Sequence, residues 1–81
     1  MYTIYILLCS DNTLYTGITN DMEARLAKHQ AGTGAKYTRG RSPVRLIYSE
    51  TAASKSDALK REIEIKSWSR SDKIARLSLK I

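Results

Sequence analysis

At 81 residues, with 14 Lys+Arg against 8 Asp+Glu and a net charge of +6, the chain has room for one small domain, and its charge favours an anionic partner, above all nucleic acid. A single cysteine excludes an internal disulfide, and one His with one Cys excludes a structural zinc site. The longest apolar run, Ile4 to Cys9, is far too short to span a bilayer and no basic leader precedes it, so a soluble, cytoplasmic protein with no membrane partner is expected.

Residues Thr3 to Cys9 are β-branched, aromatic and aliphatic without a polar break, which predicts a central strand buried on both faces; Cys9 reads as one of its small hydrophobes. Leu14 to Thr19 predicts a second strand, joined to the first as a hairpin through the polar residues Ser10 to Thr13. Gly17 weakens that strand unless something must approach its backbone closely. Asn20 with Glu23 resembles a capping box and Gly32 is a suitable stop, predicting a helix from about Asp21 to Ala31 with Met22 and Leu26 inward.

Gly32 to Pro43 holds three of the four glycines, the one proline, and Lys36, Arg39 and Arg41. It reads as a basic loop with one helical turn around Ala35 to Thr38. Val44 to Ser49 alternates as a third strand, with Val44, Leu46 and Tyr48 on one side. Ser54 and Asp57 open a helix running to about Trp68, and a last helix over 71–80 carries Ile74 and Leu77. Trp68 reads as core. The result is an α+β fold over residues 1–81, a small three-stranded antiparallel sheet flanked by helices, in the order β-β-α-(short helix or loop)-β-α-α.

Tyr5 and Tyr15 stand ten residues apart on either side of the hairpin turn. They share a face only if the loop has an odd number of residues or a bulge resets the register; Asp11-Asn12-Thr13 would serve as such a loop, although it lacks the usual glycine. The sequence leaves the matter open.

In the Ser54 helix, Ala58, Leu59, Ile63 and Ile65 form a stripe centred near 50° when wound at about 100° per residue, and Glu62 falls inside it at about 40°. An unpaired buried carboxylate is expensive, so Glu62 needs Lys66, an arginine or a metal ion as partner. Glu64 falls on the solvated side. Arg25 and His29 share one face of the first helix; Asp21 is an alternative partner for Arg25, and His29 taken alone reads as a surface residue.

These residues, in this spacing, resemble the GIY-YIG nuclease domain, in particular its small stand-alone UPF0213-like members. Thr3-Ile4-Tyr5 matches the first motif and Tyr15-Thr16-Gly17 the second; Arg25 follows on the helix, and Ala58 to Lys66 matches the segment that holds the family's glutamate at Glu62. The resemblance covers about Tyr2 to Trp68. Thr3 replaces the first motif's glycine and Thr16 the second's isoleucine; Leu7-Leu8 stand where some members carry a lysine, and a late asparagine has no counterpart.

The resemblance implies a metal-dependent endonuclease that hydrolyses phosphodiester bonds in DNA, in a setting of DNA repair or recombination. Glu62 would hold one divalent ion, Mg²⁺ or Mn²⁺, and Arg25 would clamp the phosphate. Tyr5, directly or through Tyr15, would activate the water, with His29 as helper and Gly17 allowing a close approach. Lys36, Tyr37, Arg39 and Arg41 would track the backbone of the substrate, branched or single-stranded DNA, with RNA left open. Two other classes remain: a nucleic-acid-binding module with the same fold and little catalysis, and a protein-interaction domain whose charge aids solubility.

Overall fold

The computed structural model describes residues 1–81. The elements are β1 (Tyr2–Leu8), β2 (Leu14–Thr19), α1 (Met22–Gln30), β3 (Arg45–Ala52), α2 (Lys55–Lys66) and α3 (Arg70–Arg76). All pairing is antiparallel and the strand order is β2-β1-β3, as expected for a three-stranded α+β fold. The apolar run of β1 occupies the centre. Ile4, Tyr5, Ile6 and Leu7 have no solvent exposure, and each aliphatic one contributes about 2 kcal/mol through burial.

Because side chains alternate along β1, it feeds two cores. Tyr5, Leu7, Cys9 and Val44 pack with Met22 and Leu26 of α1 and with Leu46, whereas Ile4 and Ile6 pack with Ala58, Ile65 and Leu79 and with half-buried Trp68, Ile74 and Leu77. α1 therefore covers one face of the sheet, and α2, α3 and the C-terminal tail cover the other.

Local chemistry explains the helix limits. The N-cap of α1 is Asp21, whose side chain accepts from the Ala24 amide, one residue later than the Asn20 cap expected. Ser54 and Ser69 cap α2 and α3 in the same way through the Asp57 and Asp72 amides. The expected helix over 71–80 ends at Arg76, because Ser78 takes a positive φ of 53° and turns the chain so that Leu79 drops into the core.

Two patterns differ from expectation. A bulge between β1 and β3 lies where Ile6 pairs with Tyr48 but Leu7 pairs with Leu46, leaving Ile47 extra. Leu46 and Tyr48 therefore sit in opposite cores rather than on one side. On α2, Leu59 and Ile63 are 40% and 67% exposed. The helix lies along β2 and β1 with Ala58 and Ile65 inward, so its buried line is rotated away from the expected stripe.

Candidate active site

The hairpin register settles where the two tyrosines point. Tyr5 pairs with Gly17 and Leu7 with Tyr15, which places both phenols on the α1 face of the sheet. The cause is a three-residue loop, Ser10-Asp11-Asn12, closed by Cys9 N–H to the Thr13 carbonyl at 2.9 Å and Asn12 N–H to the Cys9 carbonyl at 2.9 Å. Asn12, with φ 68°, takes the left-handed position that glycine ordinarily fills. The expected Asp11 to Thr13 loop is displaced by one residue. That alternative would keep the shared face but set Tyr5 opposite Thr19, not Gly17.

The pairing with Gly17 matters for packing. A Cβ there would lie 2.6 Å from the Tyr5 hydroxyl, 2.8 Å from its Cζ and 3.1 Å from Cε2 of Tyr15. The missing side chain thus makes room for the Tyr5 ring, which tilts against Tyr15 with centroids 6.3 Å apart. Close approach at this glycine comes from a neighbouring side chain.

His29 is completely buried, contrary to the surface position expected of it in isolation. The Arg25/His29 side of α1 faces the sheet, and the loop after the helix folds over the ring. A Cβ on Gly34 would lie 2.7 Å from Cγ and Nδ1 of His29, so only glycine allows that cover. The Tyr5 hydroxyl is 2.9 Å from Nε2 of His29, and Nδ1 is 2.8 Å from Oγ1 of buried Thr38. Thr38 donates its own proton to the Ala35 carbonyl at 3.2 Å, inside the helical turn expected around Ala35 to Thr38. Its oxygen therefore accepts from Nδ1–H, and Nε2 is left to accept from Tyr5. Burial and the Arg25 charge push the imidazole below its usual range, which keeps it neutral.

Arg25 stands beside both phenols. Its charge pulls the Tyr5 pKa down, yet burial is the larger effect and, with Tyr15 and Glu62 nearby, leaves the phenol above its ordinary value. Asp21 caps α1 and makes no ion pair with Arg25, whose buried Nε has no hydrogen-bond partner. Tyr5 also raises the Arg25 pKa.

Glu62 comes from the opposite side of the sheet. With Ala58 and Ile65 marking the buried line of α2, Glu62 lies on its flank, about 40° from Ala58, not at the centre of a stripe. Its side chain is only 16% exposed and lies 3.3 Å from Lys66 Nζ, which hangs 6.0 Å from the centre of the Tyr15 ring. Glu64 is solvated and pairs with Arg61. Trp68 packs on the core, with Arg61 and Arg76 over its ring.

The loop residues divide. Lys36 and Arg39 are exposed, and Tyr37 is 41% exposed with its ring 5.6 Å from that of Tyr15. Arg41 is held by an ion pair with Asp11 and lies 4.5 Å over the Tyr37 ring. The roles of Thr38 and Gly34 have no local signature in the sequence, since both matter only through a ring brought from α1.

No three His, Cys, Asp or Glu side chains converge. A single largely buried carboxylate whose one recorded partner is the exposed Lys66 ammonium suits a hard cation that keeps most of its waters and takes further oxygens from a phosphate, so the donor fits one such ion at Glu62.

Comparison with known proteins identifies the family and the fold. The family model described as the GIY-YIG catalytic domain matches residues 1–75. A UPF0213 protein of Staphylococcus haemolyticus is 56% identical over 88% of this chain and 87% of its own length, and one from Halobacterium salinarum is 53% identical over 93% and 97%. The solution structure of a UPF0213 protein from Bacillus halodurans superposes with a TM-score of 0.62 at 46% identity, covering 96% of this chain and 84% of that one. A solution structure from E. faecalis gives 0.67 at 40% identity, with 95% and 82% covered. The GIY-YIG domain is a nuclease domain whose members act on nucleic acid and generally use divalent metal ions. With its whole sheet, both tyrosine motifs and the α2 glutamate inside the match, this chain belongs to the GIY-YIG nuclease family, among its UPF0213 members.

Proposed function

We propose that the chain is a metal-dependent endonuclease that hydrolyses phosphodiester bonds in DNA, using Tyr5, Tyr15, Arg25, His29 and Glu62. The observation that carries this reading is the hydrogen bond from Tyr5 to buried, neutral His29, with the unpartnered Nε of Arg25 beside it. A phosphodiester needs an activated water and compensation of charge on its non-bridging oxygens, and these groups supply both.

Tyr5, raised by burial, is a phenol at neutral pH and is not itself a base. It relays: its oxygen takes a proton from the attacking water as its own proton passes to Nε2 of His29. The imidazolium so formed is disfavoured by burial and by Arg25; once the bond is cleaved it gives its proton back to the Tyr5 oxygen as Tyr5 releases the water's proton to solvent, from which the departing oxygen is protonated. Arg25 turns its free Nε–H to the phosphate and offsets the charge that grows there. Tyr15, packed on Tyr5 and 5.2 Å from His29 between ring centres, fixes both rings. Glu62 would hold Mg²⁺ or Mn²⁺, which when bound supplies Lewis-acid stabilisation to the leaving oxygen. Lys36 and Arg39, with Tyr37, position the strand without reading its sequence, whereas Arg41 acts mainly by holding the loop to Asp11.

The test is cleavage of supercoiled, single-stranded and branched DNA with Mg²⁺ or Mn²⁺ by wild type, Glu62→Ala and Tyr5→Phe. Metal-dependent nicking by wild type, reduced about 10²-fold or more in both variants while fold and DNA binding persist, is the expected result. Wild type that binds DNA but never cuts it, or variants that cut equally well, would replace this reading with the nucleic-acid-binding module.

A further inference from the structure

Thr13, Leu14, Tyr37, Arg70 and Lys73 line a cleft of about 230 Å³. Its walls carry two cations and no acid. The nearby Asp11 carboxylate is already engaged by Arg41, and Arg70 is fixed by donating from Nη1 to the Asn12 carbonyl at 2.6 Å. Lys73 makes no ion pair although it is half-buried, and burial together with the Lys66 charge depresses its pKa. The neighbouring ammonium groups of Lys66 and Lys73, with exposed Arg70 on the same cleft and Glu62 the one carboxylate paired among them, leave positive charge that an anion would compensate.

The cleft is linked to the site already described through the Tyr37 ring. Tyr15 connects the two, in ring contact with His29 of the site and with Tyr37 of the cleft wall. Lys66 bridges similarly, paired with Glu62 while its charge is felt at Lys73. Tyr37 is partly exposed, with Arg41 over one side of its ring, and such an aromatic ring beside cations is the arrangement that holds single-stranded nucleic acid, the bases stacking and the backbone paired with charge. The volume is below that of sites for drug-sized ligands and suits one nucleotide.

We propose that this cleft is a nucleotide subsite for a single strand, in which Arg70 and Lys73 bind a phosphate adjacent to the scissile one and Tyr37 stacks on its base. The proposal rests on the nuclease reading of the neighbouring site. It gives α3, which lies beyond the segment carrying the sequence motifs, a part in substrate binding.

The test is binding of a fluorescent oligothymidylate of about ten nucleotides, measured by anisotropy over a salt series in EDTA, so that no cleavage intervenes. Lys73→Gln removes a charge that makes no native ion pair, and it should weaken binding and reduce the slope of log K against log salt by about 0.7, the value of one phosphate contact on a single strand. Tyr37→Ala should weaken binding about tenfold with the slope unchanged. Lys73→Arg should restore the slope. Lys60→Gln, an equal loss of charge at an exposed position turned away from Glu62 on α2, should leave both values at wild type. Thermal unfolding confirms that each variant is folded. Wild-type slope and affinity in both Lys73→Gln and Tyr37→Ala would overturn the subsite, and nicking of DNA by the same wild-type preparation would leave the nuclease reading standing. The expected slopes in a protein that cuts no DNA would sustain the subsite and overturn the nuclease reading. Absence of wild-type binding would overturn the subsite.

Discussion

The hydroxyl of Tyr5 and the imidazole of His29, 24 residues apart in the chain, meet in a 2.9 Å hydrogen bond with neither side chain exposed to solvent. β1 supplies one partner and the end of α1 the other, and Thr38 holds the imidazole from behind at 2.8 Å. The direction of proton donation along this row depends on Thr38, whose own proton is directed to the Ala35 carbonyl.

Thr38→Val removes the acceptor for Nδ1–H, so the tautomer protonated at Nε2 becomes competitive and can no longer accept from Tyr5. Cleavage should lose about tenfold in kcat with little change in KM, and Thr38→Ser should restore it. Because His29 is the one histidine, its ring ¹⁵N shifts report the tautomer without ambiguity. Wild type protonated at Nε2 would reverse the relay and sink this account.

The neutral burial of His29 also sets a pH dependence of stability. Its folded pKa lies below the ordinary value of 6.5, so between the two the unfolded chain binds more protons than the folded one. The stability contributed by the neutral ring is complete above about pH 6.5 and is lost as pH falls through the depressed folded value. Denaturant unfolding at successive pH values should show this decline in wild type and a smaller one in His29→Gln. Equal declines in the two proteins would place the acid sensitivity elsewhere.

Gly17→Ala and Gly34→Ala should each destabilise the chain by roughly 1–3 kcal/mol, because the added methyl meets a buried ring at under 3 Å. The first strikes Tyr5 and the second His29, so both should also disturb the His29 ring resonances. A Tm within about 2 °C of wild type for either would mean that the ring yields without cost.

Thr16 carries a buried hydroxyl with no hydrogen-bond partner on the α2 face of β2, paired across the sheet with Ile6. Thr16→Val keeps the branched shape suited to a strand and removes the unsatisfied oxygen. It should stabilise by about 1 kcal/mol and raise Tm by roughly 4–8 °C. A lower Tm would show that the hydroxyl has a partner in solution.

The sequence by itself determined the elements of this protein and the family to which it belongs. The apolar run of β1 required a central strand, Ser54 with Asp57 located the start of α2, and the spacing of Tyr5, Tyr15-Thr16-Gly17, Arg25 and Glu62 carried the resemblance. These signals are local, since periodicity, capping and motif spacing act within a few residues of chain. Tertiary structure decided whatever depended on register or on contact between elements. An asparagine in a left-handed turn put both tyrosines on one face, a bulge separated Leu46 from Tyr48, and the docking of α2 turned Leu59 and Ile63 outward while leaving Glu62 on the flank. His29 reads as a surface residue until α1 is laid on the sheet and the Gly34 to Thr38 segment closes over its ring. Its burial, neutrality and hydrogen-bond direction arise from groups distant in sequence, and they exist only once the chain has folded.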